Sequence, residues 1–251
     1  MRILYHNEID IYPAAEYSSE RANFPASNVR IHHLAVPWRT SAVAGQHYIL
    51  DAGAGNTITA DCAAIAAHNL SSGATVKIQG HPTNAWGGPD VDETLVWDSG
   101  VILGFFTSAS KRFWRFYLDD AANPDGYLEI GRLGLGEYLQ MPPIEPGVAL
   151  PVADTTVVST TPSGQAYVDR GILVKAPAFA LPIVSQAERV AINAMWTEVG
   201  NGVPVFLAVW EDSLDVEPPL YCRINQDRLE FQKAAEAGVL YSLDLEFLEV
   251  K

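Results

Sequence analysis

The stretch from Phe113 to Glu137, FWRFYLDDAANPDGYLEIGRLGLGE, constrains the fold more than any other. Its aromatic opening reads as a β-strand, because flat and branched side chains suit a pleated, half-buried surface. Asp120 to Gly126 then supplies Asn, Pro, Asp and Gly, the residues that set turn geometry. A second strand follows, with Leu128 and Ile130 on one side and Glu129 on the other. Phe113 to Leu118 reads as apolar on both faces, as for a central strand with one face on a core and aromatic packing on the other. Two such strands cannot stand alone in water and need a second layer. The expected class is therefore an all-β sandwich.

Other segments agree. Thr75 to Gln79 alternates, with Val76 and Ile78 on one face and Thr75, Lys77 and Gln79 on the other. Tyr48-Ile49-Leu50 runs into the turn Asp51-Ala52-Gly53, and Leu95–Trp97 and Val101–Phe106 flank Asp98-Ser99-Gly100. Near Met141 the composition shifts. MPPIEPGVALP, residues 141–151, holds four prolines, each lacking a backbone donor. It reads as a connection between a first domain, 1–142, and a second, 143–251. In the second, Gln165 to Val174 is a candidate strand. Ser185-Gln-Ala-Glu188 has the form of a capping box. Ala187, Val190, Ala191, Ala194 and Met195 then recur at helical spacing until Gly200-Asn201-Gly202. One helix is expected, over about 186–199. Val203–Trp210 and Leu220–Ile224 read as strands, and Tyr241, Leu243, Leu245 and Phe247 alternate with polar residues.

Charge and cysteines narrow the function. The 251 residues carry a net charge of −14, with basic residues scattered, which argues against nucleic acid because phosphate contacts need clustered Lys and Arg. Cys62 and Cys222 are far apart and sit in apolar surroundings, so they read as buried thiols rather than a metal site or disulfide framework. The N-terminus shows no signal-peptide pattern and no apolar run is long enough to span a bilayer, so membrane insertion is not expected. Folding in a reducing cytoplasm fits.

Read together, Pro25-Ala-Ser-Asn28, Trp38-Arg39, Tyr48–Asp51, Ile65–Leu70, Ala74–Gly80, Phe113–Asp119 and Tyr127–Gly136 resemble, in order and spacing, a discoidin-type domain, also called galactose-binding-like or F5/8 type C. That resemblance implies an eight-stranded jelly roll. Ser185–Val199, Asn201–Trp210 with its GxPV motif, Tyr221–Phe231 and Leu240–Val250 resemble the C-terminal part of tail-tip and distal-tail proteins of long-tailed bacteriophages. The two together imply a virion structural protein of a phage tail tip or baseplate. It would be assembled in the host cytoplasm, self-associate into a ring, meet other tail proteins and contact the host. The alternative is a carbohydrate-binding module that recognises a cell-surface glycan.

No enzyme is expected, and no catalytic residue is assigned: there is no HExxH and no GxSxG. Gly131, Gly134 and Gly136 follow a strand but precede no helix, so they read as positions where a strand bends. His68 reads as a structural histidine at a strand end. The loop His81–Asp92, HPTNAWGGPDVD, is the best candidate binding surface, being long and carrying Trp86 between small residues. Trp86 there packs in the core, meets a neighbouring subunit or stacks on a glycan. Asp90 and Asp92 belong to the same loop, and Trp38 and Arg39 are placed nearby. No cofactor is expected beyond a structural calcium, which the discoidin resemblance implies and hard oxygen donors would suit, with Asp51 and Glu137 as contributors.

Overall fold

The computed structural model describes residues 1–145, 148, 150–210, 214, 217–235 and 240–251. Most of them lie in strands, and the chain divides into two compact units. The first comprises 1–141 and 205–221, the second 142–204 and 222–251. Residues 205–221 thus fall with the first unit. Pro146, Gly147 and Ala149 of the expected connection lie outside the described residues.

The first unit is a sandwich of two antiparallel sheets. One runs in the order Trp38–Arg39, Glu129–Gly136, Ile58–His68, Val101–Lys111. The other runs Ala14–Tyr17, Gln46–Asp51, Phe113–Asp119, Thr75–His81, Val91–Thr94. Between them lie Trp38, Tyr48, Ile65, Val76, Trp114, Phe116 and Leu133, all fully buried. A ring the size of Phe116 contributes about 2–3 kcal/mol on leaving water, so this layer alone accounts for much of the driving force. Arg2–Leu4 pairs on one side with Leu139–Gln140 and on the other with Val205–Ala208.

Phe113–Asp119 is not apolar on both faces. Trp114, Phe116 and Leu118 point into the sandwich, while Arg115, Tyr117 and Asp119 point out and are only partly covered. The reason is that the partner sheet lies on one side only. Leu95–Trp97 is not a strand; the strand before the turn is Val91–Thr94. The three glycines of Glu129–Gly136 serve close approach rather than bending. A Cβ on Gly136 would lie 2.5 Å from His6 O, and one on Gly131 2.8 Å from Ala67 Cβ. Both cysteines are buried free thiols, and burial pushes each thiol up. His68 ends its strand with Nδ1 accepting from Leu70 N at 3.2 Å. A one-turn helix, Glu8–Ile11, joins the expected one; Asn7 caps it through Oδ1. Four residues are too few for a period to show in the sequence.

In the second unit, Leu240–Glu249 pairs with Ala178–Ser185 along one edge. Along the other it pairs with Gln232–Ala235 and with Cys222 to Ile224. Leu243, Leu245 and Phe247 are buried, with Phe179 edge-on to Phe247. The helix Gln186–Val199 begins in a capping box: Ser185 N donates to Glu188 Oε2 at 2.7 Å and Glu188 N to Ser185 Oγ at 3.3 Å. Gln165–Val174 is not one strand. Ala166–Asp169 pairs with Val157–Thr160, and Leu173–Lys175 with Val152–Asp154. The break falls at Gly171, whose Cβ would lie 2.3 Å from the Thr155 backbone. Both strands of the Val157–Thr160/Ala166–Asp169 hairpin are exposed along their whole length.

Candidate functional site

The outward face of the five-stranded sheet is built by register. Glu16 lies opposite Ile49, Ile49 opposite Arg115, Arg115 opposite Gln79, and Gln79 opposite Asp92. One row of side chains therefore crosses all five strands. His47, Tyr117, Lys77 and Thr94 form the next row. Strands lie about 4.8 Å apart, so neighbours in a row are within reach of long polar side chains.

The loop between Thr75–His81 and Val91–Thr94 folds back over this face. Trp86, neither buried nor fully exposed, lies with the Arg115 guanidinium carbon 4.5 Å from its ring centroid. Its Nε1 donates to Asn84 Oδ1 at 2.7 Å, and Asn84 Nδ2 donates to Glu16 Oε2 at 3.2 Å. Arg115 donates through both Nε and Nη2 to Gln79 Oε1, Nε at 2.7 Å. Gln79 Nε2 donates to Asp92 Oδ1 at 2.8 Å, and Lys77 Nζ reaches Asp92 Oδ2 at 3.0 Å. Burial alone would raise the Asp92 carboxyl; the hydrogen bonds from Gln79 and Lys77, with the charges of Lys77 and Arg115, outweigh it and hold the group below its ordinary value. Asp90 is held low by the hydrogen bond and charge of Lys111 Nζ, 2.5 Å away. Burial pushes Arg115 below its ordinary value, with Tyr117, Asp92 and Glu16 opposing.

Trp86, Asp90 and Asp92 thus belong to one neighbourhood. Trp38 and Arg39 do not. They pair with Ile130 and Glu129, beside His68, whereas Trp86's loop starts at His81, which pairs with Phe113 near Ile58 and Lys111. Ile58 and His68 are opposite ends of one strand, roughly 30 Å apart at 3.3 Å per residue. Trp38 is fully buried with its Nε1 donating to Ser19 O, so it offers no surface to a ligand. Arg39 pairs with Glu129 and stacks on Phe24 at 3.9 Å. Asp51 is bound by Arg112 through both oxygens, at 2.7 and 2.9 Å, and that hydrogen bond holds its carboxyl low. It lies in the five-stranded sheet, while Glu137 follows a strand of the other. Among the described residues no group of three or more His, Cys, Asp or Glu is placed to hold a metal. Among them, too, no helix is long and apolar enough to cross a membrane.

Two concavities lie elsewhere. One in the first unit, of about 700 Å³, is walled chiefly by Leu95, Val96, Trp97, Leu103 and Phe105. One in the second unit, of about 670 Å³, is lined by polar residues including Arg228 and Asp244. The first is also lined by Arg2, Glu93, Thr94 and Asp98, and the second lacks an aromatic platform. The outward sheet face joins an aromatic ring to a hydrogen-bonded polar network. Arg115, Gln79, Asn84 and Glu16 are the members sequence reasoning missed. Alternation placed Gln79 outward, but only register shows that it meets Arg115.

No family model matches the chain, and no curated protein does. Among solved structures it is similar to chitosan-binding module 1 of a chitosanase/glucanase from Paenibacillus sp. IK-5. The identity is 22%, over 52% of this chain and 98% of that one, with a TM-score of 0.39. It is similar to the family 32 carbohydrate-binding module of C. perfringens NanJ, solved with galactose. The identity there is 15%, over 55% and 100%, with a TM-score of 0.41. A Streptococcus pneumoniae fucose-binding module is 12% identical over 53% and 95%, with a TM-score of 0.40.

Proposed function

We propose that the first unit is a carbohydrate-recognition module and that the sugar lies against Trp86 on the outward face of the five-stranded sheet. The observation that carries this reading is the Trp86–Arg115 stack, held from both sides by a polar network. A sugar presents an apolar C–H face and a rim of hydroxyls. An indole fixed in place takes the first, and planar amide, guanidinium and carboxylate groups take the second. Both partners are ordered before binding, through Asn84 on the loop and Gln79 on the sheet, so little side-chain entropy is lost on binding. Binding of a broad array of oligosaccharides tests it. Trp86→Ala is expected to weaken the best ligand at least about tenfold, roughly 1.4 kcal/mol, while the melting temperature stays nearly constant. A well-folded wild-type protein that binds no oligosaccharide overturns the reading.

A second reading has its own observation. Val157, Val158, Tyr167 and Val168 are 59–63% exposed on a two-stranded hairpin. Exposed apolar residues clustered on an arm suit burial against another chain. This suits a protein that is buried against copies of itself or against other chains, as a structural protein of a bacteriophage tail tip or baseplate would be in the virion. The two readings are compatible, since an assembled particle can carry a sugar-binding unit toward a host.

A further inference from the structure

The charges around Trp86 are almost entirely paired. Lys77 pairs with Asp92, Lys111 with Asp90 and Arg112 with Asp51. Glu16 accepts from Asn84 and lies 3.6 Å from His47 Nε2. Glu16 is thus met by a neutral amide and by a histidine that is a cation only when protonated. One cation of the group, Arg115, has no ion-pair partner among the described residues; its guanidinium meets a neutral amide oxygen and an indole face, and its Nη1 donates to no described residue. In a chain of net charge −14, an arginine on a sheet face crowded with acids would be expected to pair with one. Here the register gives the position opposite it to Gln79, and Gln79 in turn holds Asp92 away through its other end.

A guanidinium fixed by Nε and Nη2 and flanked by a tryptophan is a receptor for a planar anion. Its fork matches a carboxylate, and a charged pair in a partly desolvated setting is about twice as strong as a neutral hydrogen bond. We infer that the ligand of this site is an acidic saccharide, whose carboxylate pairs with Arg115 while its ring lies against Trp86. The inference rests on the carbohydrate reading above and names the class of sugar. The overall negative charge does not forbid it. Charges more than about 8–10 Å from the site are screened at physiological salt, and of the acids close by, Asp92 and Asp90 are matched by Lys77 and Lys111 while Glu16 faces Asn84 and His47.

The test compares acids with their own neutral forms. Oligogalacturonate, oligomannuronate and sialyllactose are each offered beside the carboxyl-reduced or asialo counterpart, to the whole protein, with a broad neutral and sulfated array alongside. At least one acidic form is expected to bind at least about tenfold tighter than its neutral partner, and to weaken as salt rises. Arg115→Gln is expected to abolish that preference, and Arg115→Lys to restore part of it. Equal binding of acidic and neutral forms overturns the inference and leaves the carbohydrate reading standing. So does preference for sulfated over carboxylated sugars, or a preference that survives Arg115→Gln. Absence of binding to every sugar overturns both. The comparison of ligands on the unaltered protein decides the question even where a variant folds poorly.

Discussion

A Cβ added to Gly134 would lie 2.6 Å from Phe206 Cε2 and 3.0 Å from Leu4 Cδ2. Neither neighbour has room to retreat, since Phe206 also packs on Tyr221 at 4.9 Å between centroids and Leu4 is buried. Gly134→Ala is therefore expected to destabilise the first unit by about 1–3 kcal/mol, the usual cost of overpacking, and Phe206→Leu to recover part of the loss in the double variant. Denaturant unfolding followed by tryptophan fluorescence measures both, and additive effects would show that the clash is not with Phe206. The glycine was visible in the sequence, but its reason was not. A strand glycine can mark a bend or a close neighbour, and the neighbour here sits 72 positions further along the chain, at Phe206. Arg115 poses the same difficulty. Its alternation with Trp114 and Phe116 marks it as outward-facing, yet Gln79 and Trp86 reach it only through the fold.

At the scale of elements, alternation and capping were legible because they are local. The helix Gln186–Val199 starts where Ser185 and Glu188 said it would, and Leu243, Leu245 and Phe247 alternate as their spacing requires. The hairpin between Val157 and Asp169 was not legible, because Gln165 to Val174 reads as one run and the break depends on Gly171 packing on Thr155. That hairpin has an unusual balance. Residues 155–168 carry no charged side chain in a chain of net −14. Two copies of so acidic a protein repel each other over most of their surface, and an uncharged arm is where they can approach. An isolated two-stranded ribbon is also marginal in water, whereas pairing its free edges with a second copy would stabilise it. Val158→Lys combined with Val168→Lys places two like charges across from each other on one face of the ribbon. If the arm joins copies of the chain, this double variant is expected to shift the protein from oligomer to monomer in sedimentation or light scattering. An oligomer of unchanged mass would remove the arm from the interface.

For the molecule as a whole, the shifted groups set how stability depends on pH. Burial lowers His68, with Asp98 opposing; burial and the charge of Arg132 lower His32, with Asp10 opposing. A histidine depressed in the folded state takes up its proton more readily when unfolded, so it withdraws stability as pH falls below the unfolded value of 6.5. The depressed carboxylates act lower down. Burial would raise Asp120, but hydrogen bonds from Ser71 and Asn123 outweigh it, and Arg112 holds Asp51 low; both lend stability that is complete above the unfolded value of 3.8 and lost as pH drops through their folded values. Asp61, raised by burial, acts in the opposite sense. Two descending steps should therefore appear on acidification, one beginning near pH 6.5 and one below pH 4. Melting temperatures measured from pH 8 to pH 3 reveal them. His68→Asn is expected to flatten the upper step and leave the lower one in place, because its ring contributes to the first and touches none of the carboxylates that make the second. If the upper step kept its full height in that variant, His32 or a group outside these two would have to carry it.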